Sequence, residues 1–336
     1  MSILVSGGAG YIGSHTVIKL LEAEKDVVIA DNFSNSSENT ISRLNKLSGR
    51  NIPFEKVDLT DSSAVNGLFD SHSFDAVIHF AAYKAAGDSV LDPLKYFINN
   101  LTSTLNLLAA MRERGVKLFV FSSSATVYGA PASVPITEDF PLSAVNPYGR
   151  TKLIIEDMLR DMHFADGSLG IAILRYFNVA GAHPSGTIGE APAGIPGNLI
   201  PHMAQVAAGQ LCELPVYGAD YPTRDGTCVR DYIHVQDIAD GHVAALDKLE
   251  SEGGLLTYNL GTGSGYTVLE VISAYGRACG KSIPYEITAR RPGDIAECYA
   301  DSSKARRELG WKARFSLDDM CRDSWNWQKN NPRGYE

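Results

Sequence analysis

Over the first 177 residues, apolar runs of strand length alternate with amphipathic stretches, and this pattern constrains the fold more than any other feature of the chain. Residues 3–6, 27–30, 54–57, 77–80, 118–121 and 172–176 are short runs rich in Val, Ile, Leu and Phe. Between several of them lie stretches of helical period at 11–24, 62–70, 93–114 and 147–162. Continuous apolar runs suit strands covered on both faces, whereas a half-exposed strand alternates. Repeated strand–helix–strand units then imply a parallel sheet with right-handed crossovers. The expected class is α/β, a Rossmann-type doubly wound parallel sheet.

After Asn178 the texture changes. Glycine and proline crowd residues 181–229, with one helical pattern near 200–209. Loops of that length in a compact domain are usually functional. Residues 231–249 read as helical again, and Tyr258-Asn259-Leu260 reads as one more strand. The expected organisation is a dinucleotide-binding domain at 1–177, to which segments near 231–262 return, and a smaller C-terminal α/β substrate-binding domain at 178–336.

Composition excludes several classes of function. Thirty basic against 39 acidic residues give a net charge of −9, the wrong sign for a general binder of nucleic acid or anionic membrane. No run reaches the ~20 apolar residues of a membrane span. The first six residues lack a basic region, so no signal peptide is expected. The five cysteines are odd in number and widely spaced, with no C-x-x-C pair. Reduced thiols in a cytoplasm fit this better than disulfides or zinc, and no metal site is expected.

The first strand runs into Gly7-Gly8-Ala9-Gly10-Tyr11-Ile12-Gly13. Gly7, Gly10 and Gly13 have the spacing that gives a tight turn, a close backbone approach to a pyrophosphate, and tight helix–strand packing. The helix that opens there offers N–H groups and a positive dipole end to an anion. Asp31 ends the second strand, where an acid accepts hydrogen bonds from the adenosine ribose and repels a 2′-phosphate. NAD is therefore expected over NADP. Asp58 and Leu59, after the third strand, can reach the adenine.

Tyr148 and Lys152 form a Y-x-x-x-K pair behind Asn146-Pro147, a helix cap followed by proline at the first helical position. Four residues apart, they share one helix face. Ser122-Ser123-Ser124 bring hydroxyls to the carboxyl end of the fifth strand, where ligands bind in open α/β sheets. A free tyrosine has a pKa of about 10 and is a poor base at neutral pH. A nearby ammonium, or a nicotinamide cation, favours the phenolate, which could deprotonate a sugar hydroxyl as hydride leaves the same carbon.

These residues together resemble the extended short-chain dehydrogenase/reductase family. Long blocks at 6–15, 122–129, 175–178, 182–186 and 229–235 resemble its UDP-hexose 4-epimerase branch. The similarity runs over essentially the whole chain. It implies interconversion of UDP-galactose and UDP-glucose through a 4-keto sugar, with NAD restored at each turnover. By resemblance Tyr148 is the base, Lys152 binds the nicotinamide ribose and tunes Tyr148, and Ser124 holds the reacting hydroxyl. The resemblance also implies cofactor contacts from Tyr11, Ile12, Asn32, Phe80, Ala81, Lys84, Asn99, Ser122 and Phe177. Asn178, Asn198, Leu199, Tyr217, Arg230, Arg291 and Asp294 match positions that bind the UDP moiety.

Ala125-Thr126 stand where 4,6-dehydratase relatives carry an Asp-Glu pair, so the acid and base that water elimination needs are missing there. Another UDP-sugar epimerase, a decarboxylase, and a non-catalytic dinucleotide-binding regulator remain as alternatives, although regulators of this kind typically lack the Tyr–Lys pair. Cys298 matches a position that is often tyrosine in glucose-restricted relatives, and its small side chain suggests acceptance of N-acetylated UDP-hexoses. Apolar residues on more than one stripe of 93–114 and 147–162 resemble the family's paired-helix homodimer interface.

Overall fold

The computed structural model describes residues 1–336 other than Ala193 and Pro292. Its elements, in chain order, begin with β1 (Ser2–Ser6), α1 (Tyr11–Glu22), β2 (Asp26–Asp31), α2 (Glu38–Ser48), β3 (Phe54–Lys56), α3 (Ser62–Ser71) and β4 (Ala76–His79). There follow α4 (Ala86–Leu91), α5 (Pro93–Arg114), β5 (Leu118–Ser124), a single 3-10 turn at Ala125–Tyr128, α6 (Pro147–Ala165) and β6 (Gly170–Tyr176). The second half adds β7 (Asn178–Ala180), α7 (Leu199–Ala207), β8 (Leu214–Tyr217), β9 (Val229–His234), α8 (Val235–Glu252) and β10 (Leu255–Leu260). The chain ends with β11 (Gly265–Thr267), α9 (Val268–Cys279), β12 (Tyr285–Thr288), β13 (Glu297–Cys298), α10 (Ser303–Leu309) and α11 (Leu317–Asn330).

The chain divides into two compact units. The first comprises Met1–Gly129, Pro141–Arg175 and Ala239–Tyr258; the second comprises Ala130–Phe140, Tyr176–Ile238 and Asn259–Glu336. A seven-stranded sheet in the order β10-β6-β5-β4-β1-β2-β3 organises the first unit, and β3, β2, β1, β4 and β5 pair in parallel. This is the doubly wound order, whose direction reverses between β1 and β4. Ile3, Leu4 and Val5 of β1, and Ala76, Val77 and Ile78 of β4, are fully buried, as two-sided coverage by helices requires. Both strands end at the reversal, with Ser6 opposite His79.

Local chemistry fixes where the helices beside this edge begin. Asn146 caps α6 by accepting from Gly149 N at 2.8 Å, with Pro147 at the first position. Asp92 and Pro93 repeat the device at α5, which stops at Gly115 in the left-handed region. Gly10 caps α1 without any side chain.

In the second unit β9 is central: β11 and β13 flank it, and β7 pairs with it as well. Parallel β8 and β12 form a separate ribbon. A core of Met203, Tyr275, Met320 and Cys321 packs between α7, α9 and α11.

Three details differ from the sequence reading. Residues 231–249 are not one helix: Val229–His234 is a strand and the helix starts at Val235. Tyr232 and Ile233 suit a strand, and Asp231 is buried, accepting from Thr262 N, Thr262 Oγ1, Gly263 N and Ala300 N. Residues 130–140, read within a first domain at 1–177, group with the second unit. Ile136 N donates to Tyr299 O, while Asn259 Nδ2 and Asp301 N donate to Ile136 O. Of the segment near 231–262, only Ala239–Tyr258 groups with the first unit.

Candidate active site

Within the first unit the glycine turn is tightly constrained. Gly7 has φ +70°, and a Cβ there would meet Ala81 N at 2.7 Å. Gly7 N donates to Ala30 O at 2.8 Å and Gly10 N to Gly7 O at 3.0 Å. A Cβ on Gly13 would fall on the Gly7 carbonyl. Backbone thus occupies the space that side chains would need, and α1 begins at Gly10 with no side-chain cap, leaving helix-start amides of the kind that can receive an anion. Asp31, 8% exposed, accepts from Ala9 N at 3.0 Å, Phe33 N at 2.9 Å and Ser36 Oγ at 2.8 Å. A carboxylate has about four lone-pair sites, so a ribose hydroxyl can still be accepted. Asn32 hydrogen-bonds Asp58, whose carboxyl lies below its usual range chiefly through Thr60 N and Thr60 Oγ1. Leu59 is buried beside it.

The structure brings Lys84 over Tyr11, with Nζ 5.9 Å from the ring centroid, and Phe80 against His242 at 4.6 Å between ring centroids. Asn99 donates to Asn100 Oδ1. Asn100, which the sequence reading missed, also donates to Thr151 Oγ1, and Thr151 donates to the Tyr148 carbonyl. This braces α5 against the first turn of α6.

Tyr148, Lys152, Ser122 and Ser124 come together. Lys152 Nζ donates to Ser122 O at 2.7 Å, sits 6.0 Å from the Tyr148 ring centroid and 4.8 Å from that of Phe121, and is 3% exposed. Tyr148 hydrogen-bonds Ser124. Thr126, a second missed residue, donates to Ser124 Oγ from both N and Oγ1 and orients that hydroxyl. Ala125 and Thr126 offer no carboxyl group for an elimination.

The expected preference for phenolate is reversed in this structure. Burial pushes the Tyr148 phenol up to about 12, and the Ser124 hydrogen bond offsets only part of that. Burial likewise pulls the Lys152 ammonium down to about 7, opposed by the negative charge of Glu156. Desolvation disfavours whichever form carries charge, so it drives these two groups in opposite directions.

Glu156 is the third missed residue. Wholly buried one turn beyond Lys152, it accepts from Ser123 Oγ at 2.5 Å, Arg175 Nε at 3.0 Å, Arg175 Nη2 at 2.6 Å and Arg160 Nη2 at 2.7 Å. Arg175 also donates to Tyr128 OH. Burial works against the charged carboxylate, but the Arg175 bonds overcome it and hold the Glu156 pKa below normal. His79, between Ser6 Oγ and Thr104 Oγ1, is pulled down to about 3 by burial and then by Lys152, and is neutral.

The second unit holds the remaining expected residues. Arg291 lies 4.5 Å from the Tyr217 ring centroid and donates through Nε to Asp294 at 3.0 Å; Asp294 also approaches Arg230 at 3.8 Å. Four of the positions thus form one chain of contacts. Cys298 on β13 is in register with Arg230 on β9, and burial raises its thiol to about 11. Phe177 is buried, Asn178 opens β7, and Asn198 caps α7 without a side-chain bond, ahead of Leu199. No side-chain hydrogen bond among the described residues ties these four to the arginine cluster. Asp231 and His234, in the same sequence block as Arg230, are structural. His234 Nε2 contacts Asp323 at 3.2 Å, and its ring stacks on Phe315.

Among the described residues no His, Cys, Asp and Glu group could hold a metal, and no helix is long and apolar enough to cross a membrane.

Comparison with known proteins is consistent over the full length. The family model described as GDP-mannose 4,6 dehydratase matches residues 4–324. The UDP-glucose 4-epimerase of Bacillus subtilis (strain 168) is 57% identical over 336 residues, covering 100% of this chain and 99% of that protein. A crystal structure of UDP-glucose 4-epimerase from Bifidobacterium longum, in complex with NAD+ and UDP, superposes with a TM-score of 0.97 at 53% identity, covering 99% of this chain and 100% of that one. The UDP-glucose 4-epimerase of Stenotrophomonas maltophila, with bound NAD and formylated UDP-arabinopyranose, gives 0.97 at 50%, covering 99% of each chain.

Proposed function

The chain belongs to the family described as GDP-mannose 4,6 dehydratase and, within it, to the UDP-glucose 4-epimerases, and from that premise we propose which of its residues carry each step. It is an NAD-dependent isomerase that interconverts UDP-galactose and UDP-glucose by reversible oxidation at sugar carbon 4. The residues present fit NAD: backbone fills the space at Gly7 and Gly13 that side chains would take, and Asp31 stands at the end of β2. When bound, NAD takes a hydride from carbon 4 and gives it back.

In this reading Tyr148 Oη removes the carbon-4 hydroxyl proton and later returns it. Ser124, oriented by Thr126, holds that hydroxyl. Lys152 positions the nicotinamide ribose and supplies the positive charge that the phenolate needs. Gly7, Gly10, Tyr11, Ile12, Gly13, Asp31, Asn32, Asp58, Leu59, Phe80, Ala81, Lys84, Asn99, Ser122 and Phe177 hold the cofactor. In the second unit Arg230 and Arg291 neutralise the diphosphate. Tyr217, Asn178, Asn198, Leu199 and Asp294 hold the rest of the nucleotide. The observation that carries the assignment is the buried Tyr148–Ser124–Lys152 cluster, where 8–9% exposure of the two hydroxyl residues leaves them just open to a substrate. Tyr148→Phe should abolish conversion of UDP-galactose while NAD stays bound. Retained turnover would refute the base assignment.

Two finer points belong to the proposal. Acceptance of N-acetylated UDP-hexoses is supported by the small Cys298 side chain. The ring of the next residue, Tyr299, lies against Gly265, where a Cβ would meet it at 3.0 Å. A homodimer is supported by exposed Leu94, Ile98 and Leu105 on one stripe of α5, with Ile154 exposed on α6; a purely monomeric sedimentation profile would rule it out. The free cysteines fit a reducing cytoplasm.

A further inference from the structure

Burial works against the Lys152 ammonium, and the negative charge that opposes it lies on the same helix, at Glu156. Glu156 is one turn further along α6, wholly buried, and held by four donors on β5, β6 and α6. Its partner on β5 is Ser123, the residue between the two that serve the reacting pair. Ser122 supplies the carbonyl that receives Lys152 Nζ, and Ser124 the hydroxyl that meets Tyr148. Neighbouring strand residues point to opposite faces, so a bond to Ser123 fixes the backbone that presents the other two.

We propose that Glu156 is a positioning residue for the Tyr148–Lys152 pair, supplying the buried negative charge that balances the Lys152 ammonium and, through Ser123, fixing the strand that holds both partners. This rests on the assignment of Tyr148 and Lys152 as the reacting pair.

The other charged or titratable groups around the pair do not duplicate that role. His79 on β4 is neutral. Tyr96 on α5 has its phenol pushed up by burial and carries no charge at neutral pH. Tyr128, beyond β5, is bonded to Arg175. Arg175 on β6 and the partly exposed Arg160 on α6 are cations that hold Glu156 ionised. Removing the negative charge alone therefore takes away the group that opposes burial at Lys152, which disfavours its ammonium and favours a phenolate at Tyr148. Both proton-loss steps of the pair must move to lower pH.

The test compares Glu156→Gln with the wild-type NAD-containing protein by two readouts. One is the pH profile of kcat. The other is the near-ultraviolet tyrosinate absorbance assigned to Tyr148 by subtracting Tyr148→Phe. Both limbs of the profile and the tyrosinate titration should shift down by about one pH unit, and Glu156→Asp should restore most of the wild-type profile. A lower kcat with an unmoved profile and titration would overturn the proposal, since a merely structural role predicts that result. If Glu156→Gln does not fold with Arg175 unpaired, the double variant Glu156→Gln/Arg175→Gln should fold and show a smaller shift in the same direction. An unmoved titration there would also overturn it. Were Tyr148→Phe to keep turnover, the base assignment would fall, while the tyrosinate titration would still judge Glu156.

Discussion

Gly13→Ala is the most direct perturbation of the glycine turn proposed to hold the cofactor. A Cβ at residue 13 would fall well inside 3.0 Å of the Gly7 carbonyl oxygen and lie 2.9 Å from Gly8 Cα, distances that real Cβ atoms essentially never show. The obstructing atoms are all backbone, so no side chain can swing aside. Gly7 N is bonded to Ala30 O, Gly10 N to Gly7 O and Ser14 N to Gly10 O, so moving the start of α1 strains that ladder. Overpacking of this kind costs about 1–3 kcal/mol, and a weakened backbone hydrogen bond adds about 1 kcal/mol. The expected loss is about 2–4 kcal/mol in chemical unfolding. If about 2 kcal/mol of that appears in cofactor binding, NAD affinity falls about 30-fold. The assay pairs urea unfolding with NAD content per chain after gel filtration. Gly67→Ala is the control: it sits inside α3 with nothing within 4 Å and should stabilise by about 0.5–1 kcal/mol. A Gly13→Ala protein with wild-type midpoint and NAD content would refute the reasoning.

The remaining predictions concern charge and shape. Lys152 has a folded pKa of about 7 against 10.5 unfolded. Between those values the unfolded chain binds a proton that the folded chain does not, so this group makes stability rise with pH across that window. Urea midpoints of Lys152→Met should lack that rise relative to wild type, and parallel pH curves would contradict the burial argument. On the proposed assignment Arg291→Ala would remove a charged donor from the diphosphate, a contact worth about 1.5–3 kcal/mol. KM for UDP-galactose should rise about 10- to 150-fold with kcat little changed, and an unchanged KM would remove Arg291 from the nucleotide site. Cys298→Tyr should suppress turnover of N-acetylated UDP-hexoses while sparing UDP-galactose; equal turnover of the N-acetyl substrate would refute the role of that position.

The fold was legible where burial is written in composition. Continuous apolar runs marked β1, β2, β4, β5 and β6, because a strand covered on both faces has few polar residues to interrupt it. The glycine turn and the Tyr148–Lys152 spacing were legible because each is local: its geometry follows from residues within one turn. The strand at Val229–His234 was not legible, since Arg230, Asp231 and His234 break the apolar run. Asp231 is tolerated in the interior only because Thr262, Gly263 and Ala300 donate to it from residues 31 to 69 positions away.

The same separation in sequence hid the polar support of the site. Glu156 on an amphipathic helix reads as one more solvated carboxylate, and Arg175 as an interruption at the end of a strand. Only the fold brings Ser123, Glu156 and Arg175 together, across 33 and 19 positions of chain. A buried ion pair of this type is weak evidence for stability, because desolvation consumes much of its Coulombic gain. The two-residue exposure of the pair is nil or nearly so, which makes that cost large here. Apolar side chains could fill the same space without it, but they could not present a fixed negative charge one turn from Lys152. What the pair stabilises is therefore better sought in the titration of Tyr148 and Lys152 than in the unfolding free energy.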